Sequence, residues 1–310
     1  MQARLSVQAP AAVVMVRPHH FTPNPETAAD NAFQRSARDG NASDVAQRAY
    51  AEVTQAAETL ERHGVTVHLF EDTVPGRTPD AVFPNNWFST HAGGHIAMYP
   101  MYSPNRRLER RMDVIELLKA RYRVQDIIDY SGLEPDGLFL EGTGAMVLDH
   151  VARIAYTVRS NRANAIALER FATHFNFEPM AFDAMDASGQ AVYHTNVLMC
   201  VATEFALVGF DLIPDPQRRE EIRQRLGTTG RSTIALSSHQ IGEFAGNALE
   251  LTGSAGRILA LSSRALASLT PTQIATIEQS ASIVPLRVPT IELAGGSVRC
   301  MLAGIHLARR

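Results

Sequence analysis

Two cysteines, Cys200 and Cys300, are all that 310 residues contain. That excludes a disulfide framework and, with no export signal at the start, predicts a reducing cytoplasmic setting. The opening Met1-Gln2-Ala3-Arg4 leads into an apolar stretch that ends at Val16 and is broken by Gln8 and Pro10, poor as a signal core and too short to span a bilayer. The formal charge of -3 leaves no basic field, so neither nucleic acid nor an anionic membrane is an expected partner. Glycine-rich phosphate loops of the standard patterns are missing. His19-His20 and the pair His91 and His95 stand apart from any carboxylate or cysteine cluster, and Gly93-Gly94 marks a turn between the latter two. No metal and no cofactor are expected. What is abundant is apolar: 45% hydrophobic against 20% charged, enough for a large core, read here as a single domain over residues 1–310.

Repetition organises the chain. Five segments share a small or amide pair that opens onto an apolar strand: Phe83-Pro84-Asn85-Asn86-Trp87-Phe88, Leu140-Glu141-Gly142-Thr143-Gly144, Tyr193-His194-Thr195-Asn196-Val197, Phe244-Ala245-Gly246-Asn247-Ala248 and Leu293-Ala294-Gly295-Gly296-Ser297. Their markers Asn86, Thr143, Asn196, Asn247 and Gly296 lie 57, 53, 51 and 49 residues apart. Between markers the same order of elements recurs. A strand at 95–101, a helix at 104–122 and a strand at 123–128 form one period. Strands through 148 and at 153–157, a helix at 163–176 and a strand at 177–182 form the next. Then come strands at 197–201 and 205–208, a helix at 215–226 and a strand at 233–236, and finally 257–261, a helix at 271–279 and 282–288. Asp215 and Thr270-Pro271 stand where helices should start, and the charged run from Arg107 to Tyr122 reads as a solvated face of an amphipathic helix. Ala12 to Val16 reads as a first buried strand. Such units cannot bury their faces singly, so they should pack about an axis with their marker turns converging on one end, where a ligand pocket is expected.

The order of an Asn-bearing first turn, Leu-Glu-Gly-x-Gly, His-x-Asn and a C-terminal Gly-Gly-x-x-x-Cys resembles the guanidino-group-modifying, or pentein, superfamily over nearly the whole chain. The resemblance implies an α/β fold of five ββαβ units, a five-bladed propeller with pseudo-fivefold symmetry. It also implies a hydrolytic site of Cys300, His194 and Glu141. Phe83-Pro84-Asn85-Asn86-Trp87 with His194-Thr195-Asn196 looks closest to the citrulline-hydrolysing branch.

The chemistry suits those residue types. A guanidinium or ureido carbon is resonance-stabilised, and a thiolate splits its displacement into two easier steps through an S-linked intermediate. His194 would protonate the leaving amine and then activate water. Glu141 would either orient the imidazole or hold a substrate N–H. The family's deiminases grip the cationic guanidinium with carboxylates in the first turn and two residues after the histidine, whereas this chain has Asn85-Asn86 and Asn196. Amides suit a neutral ureido group, which favours citrulline, or arginine hydrolysed through a retained ureido intermediate. Asp80 is close enough in sequence to supply a carboxylate after all. Gly295 and Gly296 would let the substrate approach closely. Arg159 matches a family arginine that contacts the α-carboxylate, and Arg17 is a second candidate. Cys200 reads as core. An amidinotransferase, and a catalytically silent propeller that binds a partner, are the competing readings. The expected partner is a small arginine- or citrulline-like molecule.

Overall fold

The computed structural model describes residues 7–28, 31–35, 42–73, 77–186 and 189–310; Met1-Gln2-Ala3-Arg4 lies outside them. Among the described residues fifteen strands form five three-stranded sheets of one plan. β1 (Ala12–Pro18) runs parallel to β2 (Thr66–Asp72) across the crossover helix α1 (Ala42–Arg62). β3 (Phe88–His91) pairs antiparallel with β4 (His95–Met98), and α2 (Met112–Arg121) carries the chain to β5 (Asp126–Asp129), parallel to β4. The four-residue helix α3 (Gly142–Ala145) opens onto β6 (Met146–Asp149), antiparallel to β7 (Ile154–Val158). Helix α4 (Ala165–Phe175) then leads to β8 (Glu178–Phe182). β9 (Met199–Val201), β10 (Phe205–Val208), α5 (Pro216–Gly227) and β11 (Ser232–Ala235) repeat the plan. After the short α6 (Ser238–Gly242) come β12 (Leu249–Gly253), β13 (Gly256–Ser262), α7 (Ser263–Ser268), α8 (Pro271–Glu278) and β14 (Ser282–Leu286). α9 (Val298–Met301) precedes β15 (Ala303–Gly304), which pairs antiparallel with β1. The first sheet is therefore completed by the last strand.

The helix starts follow local chemistry. Asp215 accepts from the backbone N–H groups of Gln217 and Arg218 with Pro216 next in line, and Thr270 forms a capping box with Gln273 ahead of α8. The helix expected over 104–122 is broken. Pro104–Glu109 is a 3-10 segment, Arg110 and Arg111 are extended, and only Met112–Arg121 is α-helical. Within α2 the charged run keeps its solvated face, with Asp113, Glu116 and Arg121 exposed over buried Val114, Ile115 and Leu118, while Glu109 on the preceding 3-10 turn is buried and paired with Arg106. Burying that pair forces its side chains inward on a turn that a regular helix would have pointed outward.

Five strands, one from each sheet, line a single cavity: β3, β6, β9, β12 and β15 contribute Ser89, Leu148, Cys200, Leu249 and Gly304 among others. Each of these strands is entered from one of the five marker turns. Outside them, the sheets pack against α1, α2, α4, α5 and α8 through apolar cores, such as the one that gathers Val45, Val53 and Leu60 of α1 onto Val13 and Met15.

Candidate active site

The turns ahead of the inner strands meet because their side chains are small enough to let them. Gly142 has φ +45°, and a Cβ on Gly144 would come within 2.1 Å of the Asn86 amide and 2.8 Å of His194 Nδ1. Glycine at 144 therefore brings the first, second and third turns into contact.

Cys300 lies on α9, 2% exposed. Its Sγ accepts N–H from Asn196 Nδ2 at 3.2 Å and Asn247 Nδ2 at 3.3 Å. Asn247 also donates to Asn196 O at 2.9 Å and accepts from Arg299 N at 3.0 Å. It thereby ties the third turn to the cysteine helix. Two amide donors therefore converge on the sulfur and fix its position between the third turn and the cysteine helix.

His194 Nε2 lies 2.9 Å from Glu141 Oε2. Burial drives the imidazole pKa down to about 4, with Glu141 opposing the shift and the Arg162 and Arg106 charges adding to it. Burial alone would raise Glu141. Arg162, the His194 hydrogen bond and Arg106 outweigh it and hold the carboxyl well below the usual carboxylate range. At neutral pH the pair is thus a carboxylate beside a neutral imidazole. Nε2–H must donate to Glu141, and Nδ1 keeps its lone pair for a proton. Tyr102 N also donates to Glu141 Oε1 at 3.0 Å, so the carboxylate is anchored on both oxygens.

Two arginines and two more carboxylates complete the charge pattern. Arg106 donates from Nε and Nη2 to Glu109 at 2.9 Å each, and lies 3.6 Å from both Asp80 and Glu141. The Asn86 amide, oriented to satisfy its neighbours, accepts from Nη1 and Nη2 of Arg106 at 3.0 Å and donates to Asn85 Oδ1 at 3.3 Å. Arg162 reaches Glu141 at 3.5 Å and lies over the Tyr193 ring, 4.8 Å from its centroid. Asp80 accepts from Asn24 at 2.8 Å on Oδ2, while its buried Oδ1 has no hydrogen-bond partner among the described residues. Burial raises the Asp80 and Glu109 pKa values.

Asp80, Asn86, Arg106, Arg162, Tyr193, His194, Gly296 and Cys300 share one cleft with Thr27 and Asn31. Its interior leaves about 10 Å³ for the centre of a water-sized sphere, close to the room one water needs. Asn24, Thr27 and Asn31 belong to the connection between β1 and α1, and Asn31 Nδ2 donates to Ala294 O at 3.0 Å.

Of the residues expected from sequence, Cys300, His194, Asn86 and Gly296 line the cleft. Glu141 and Asn196 back it through hydrogen bonds. Asn85 is buried behind Asn86, and Gly295 O accepts from Tyr193 OH at 2.7 Å. Arg159 is not brought to the cleft. It is half-exposed and 3.5 Å from Asp183, and the arginine in the site is Arg162, one turn of chain later. Arg17 is engaged by Glu71 and Thr54, away from the site. Arg106, Arg162 and the sulfur contact of Asn247 were not read from the sequence. Arg106 was hidden in a charge run, and nothing in Arg159-Ser160-Asn161-Arg162 says which guanidinium turns inward. Among the described residues no cluster of histidine, cysteine and carboxylate could hold a metal ion.

The fold resembles those of solved enzymes. The N-terminal domain of ArgZ, an arginine dihydrolase of the cyanobacterial ornithine–ammonia cycle, was solved bound to substrate. It superposes with a TM-score of 0.72 at 15% identity, over 95% of this chain and 97% of that one. AgrE in complex with L-arginine gives 0.73 at 17% identity, over 96% of this chain and 40% of that one. The dimethylarginine dimethylaminohydrolase (DDAH) of Pseudomonas aeruginosa complexed with citrulline gives 0.60 at 11% identity, over 97% and 100%. No curated protein matches by sequence. Residues 17–307 match the family described as N,N dimethylarginine dimethylhydrolase, eukaryotic. With its five sheets, its converging turns and that match over nearly its whole length, this chain belongs to the N,N-dimethylarginine dimethylhydrolase family of guanidino-group-modifying (pentein) enzymes.

Proposed function

We propose that this protein is a cysteine-dependent hydrolase of guanidino and ureido C–N bonds. Its preferred substrate is citrulline, converted to ornithine, ammonia and carbon dioxide, and arginine is carried through both hydrolyses. The supporting observation is the cleft in which the Cys300 sulfur, under two amide donors, shares space with His194, itself held by Glu141, and with Asp80, Arg106 and Arg162. In this reading the five sheets form the five blades of one single-domain propeller, with the site at the end where the marker turns meet.

The neutral His194 takes the thiol proton and Cys300 Sγ bonds to the ureido carbon. The C–NH₂ bond breaks, and ammonia leaves with the proton returned by His194. Water, deprotonated by the same imidazole, adds to the carbon and the C–S bond breaks. The carbamate so formed loses carbon dioxide and leaves ornithine. Arginine follows the same two steps once to give citrulline, which then re-enters the sequence. Glu141 holds the tautomer that leaves Nδ1 free. Arg106 and Arg162 hold the α-carboxylate and Asp80 the α-ammonium, a zwitterion set between fixed charges of opposite sign. Asn86 and Asn196 face the reacting group as neutral donors and acceptors.

Substrate choice follows from charge. Asp80, Glu109 and Glu141 against Arg106 and Arg162 leave one net negative charge when all are ionised, which a guanidinium neutralises. When Glu109, pushed up to about 8 by burial, keeps its proton and Asp80 stays ionised toward the α-ammonium, the site is neutral and matches a ureido group. Incubating the purified protein with citrulline, arginine, agmatine and dimethylarginine, and following ornithine and ammonia, tests the reading. Ornithine should appear from both citrulline and arginine, and agmatine, lacking the carboxylate, should be a poor substrate. Arginine converted to citrulline and no further refutes the ureido reading. Turnover of none of the four refutes the hydrolase.

A further inference from the structure

On the far side of Cys300 the same short helix faces the cavity lined by the five inner strands. Arg299 projects there. Its Nη1 donates to Leu302 O at 3.0 Å, and among the described residues no carboxylate lies within ion-pair distance of it. Burial lowers its pKa, with the neighbouring Cys300 and Cys200 sulfurs opposing the shift, so the cation is held at a cost with no carboxylate beside it. The inner strands carry two carboxylates, and both are engaged elsewhere. Asp149 is bound by Arg231, and Glu250 accepts from Thr203 at 2.7 and 2.6 Å and lies 3.6 Å from Arg257.

The rest of the wall carries no charged side chain; Gln8, Ser89, Thr90, Thr143 and two histidines stand among apolar residues such as Phe88 and Leu148. His150 and His306 stack with ring centroids 3.8 Å apart, and His150 Nδ1 is buried with no hydrogen-bond partner among the described residues. Burial and then the Arg299 charge hold His306 down at about 4, and burial lowers His150 well below the usual imidazole range. The cavity leaves about 40 Å³ for the centre of a water-sized sphere, more than the 10–15 Å³ or so that one water needs. A permanent cation facing a chamber of that size and mixed polarity, with no carboxylate to meet it, suits a small, weakly hydrated anion.

We propose that this axial cavity is a binding site for a small monovalent inorganic anion of chloride size, held against the Arg299 guanidinium beside His150 and His306. The site is separate from the substrate cleft, since the two share no lining residue. Bromide is the probe. Crystals of the intact protein grown in bromide at physiological chloride strength should show an anomalous peak within hydrogen-bonding distance of Arg299. In solution at constant ionic strength, replacing a bulky organic anion with bromide should raise the thermal midpoint. Once bromide exceeds its dissociation constant, the gain should be about 2 °C or more per tenfold increase. Arg299→Lys should keep that dependence and Arg299→Gln should lose it. No anomalous peak in the cavity, or an Arg299→Gln protein with the same bromide dependence as the parent, overturns the proposal. If Arg299→Gln does not fold, the diffraction result on the unaltered protein decides.

Discussion

Replacing Glu141 with glutamine removes one charge and almost no volume, and the structure says what that charge does. Glu141 is fully buried, accepts from His194 and Tyr102, and stands 3.5 and 3.6 Å from two buried guanidiniums. Breaking a buried ion pair by neutralising one partner costs about 3–5 kcal/mol, because the remaining charge stays desolvated. Arg106 keeps Glu109 and Asp80, so the loss belongs near ~3 kcal/mol, which for a protein of this size lowers the melting midpoint by roughly 5 °C. Catalysis should suffer separately. A glutamine can present its NH₂ group to Nε2, which moves the imidazole proton to Nδ1 and blocks the base. Losing a correctly protonated general base costs about 10²–10⁴ in rate. Calorimetry and ornithine release from citrulline measure the two effects, with Glu141→Asp as the charge-retaining control. A glutamine variant that melts with the parent and keeps kcat within tenfold would falsify the assigned role of this carboxylate.

Cys300→Ser should keep the parent's melting behaviour and lose turnover by at least ~10⁴, since a hydroxyl is a far weaker nucleophile than a thiolate. Intact-mass measurement of the quenched parent should show an adduct that the variant lacks, and near-parental turnover by the variant would rule the cysteine out. Acid should destabilise the fold. His91, His150, His194 and His306 all have pKa values lowered by burial. Between pH 6 and 5 the unfolded chain therefore takes up protons that the native state refuses. Raised carboxylates such as Glu109 bind protons natively and offset part of this, leaving a slope of about 2–4 kcal/mol per pH unit. A flat stability profile from denaturant titrations across that range contradicts the burial of these rings. Finally, the kcat/KM ratio of arginine to citrulline should rise with pH as Glu109 ionises and the cleft becomes more negative. A ratio that falls with pH refutes the charge account of substrate choice.

The elements that were legible in the sequence are those whose cause is local. Asp215-Pro216 and Thr270-Pro271 start helices by satisfying their own first-turn N–H groups, and the strand at Phe205–Val208 lies where its apolar run put it. The marker turns were visible because glycine and asparagine are needed wherever five chains approach one point, and they led to Cys300, His194 and Asn86. What escaped depends on distant partners. The break at Arg110-Arg111 follows from Arg106 turning inward to Glu109, Asp80 and Asn86, which no helical periodicity reports. The choice of Arg162 over Arg159 is made by Glu141 and Tyr193. The first sheet needed β15, and pairing between opposite ends of a chain leaves no spacing to detect.

That pairing has a consequence for how the molecule is made. Val13 and Val14 wait for Ala303 and Gly304, which leave the ribosome three residues after Cys300. During synthesis His194, Glu141 and the strands of four complete sheets precede Cys300, and only the first sheet still lacks a strand when it emerges. Throughout that interval the side of β1 that β15 will cover is an open edge. When two copies are made close together, the late strand of one can be captured by the waiting edge of the other. An exchanged dimer joined through β1 and β15 is therefore the characteristic assembly error of this fold.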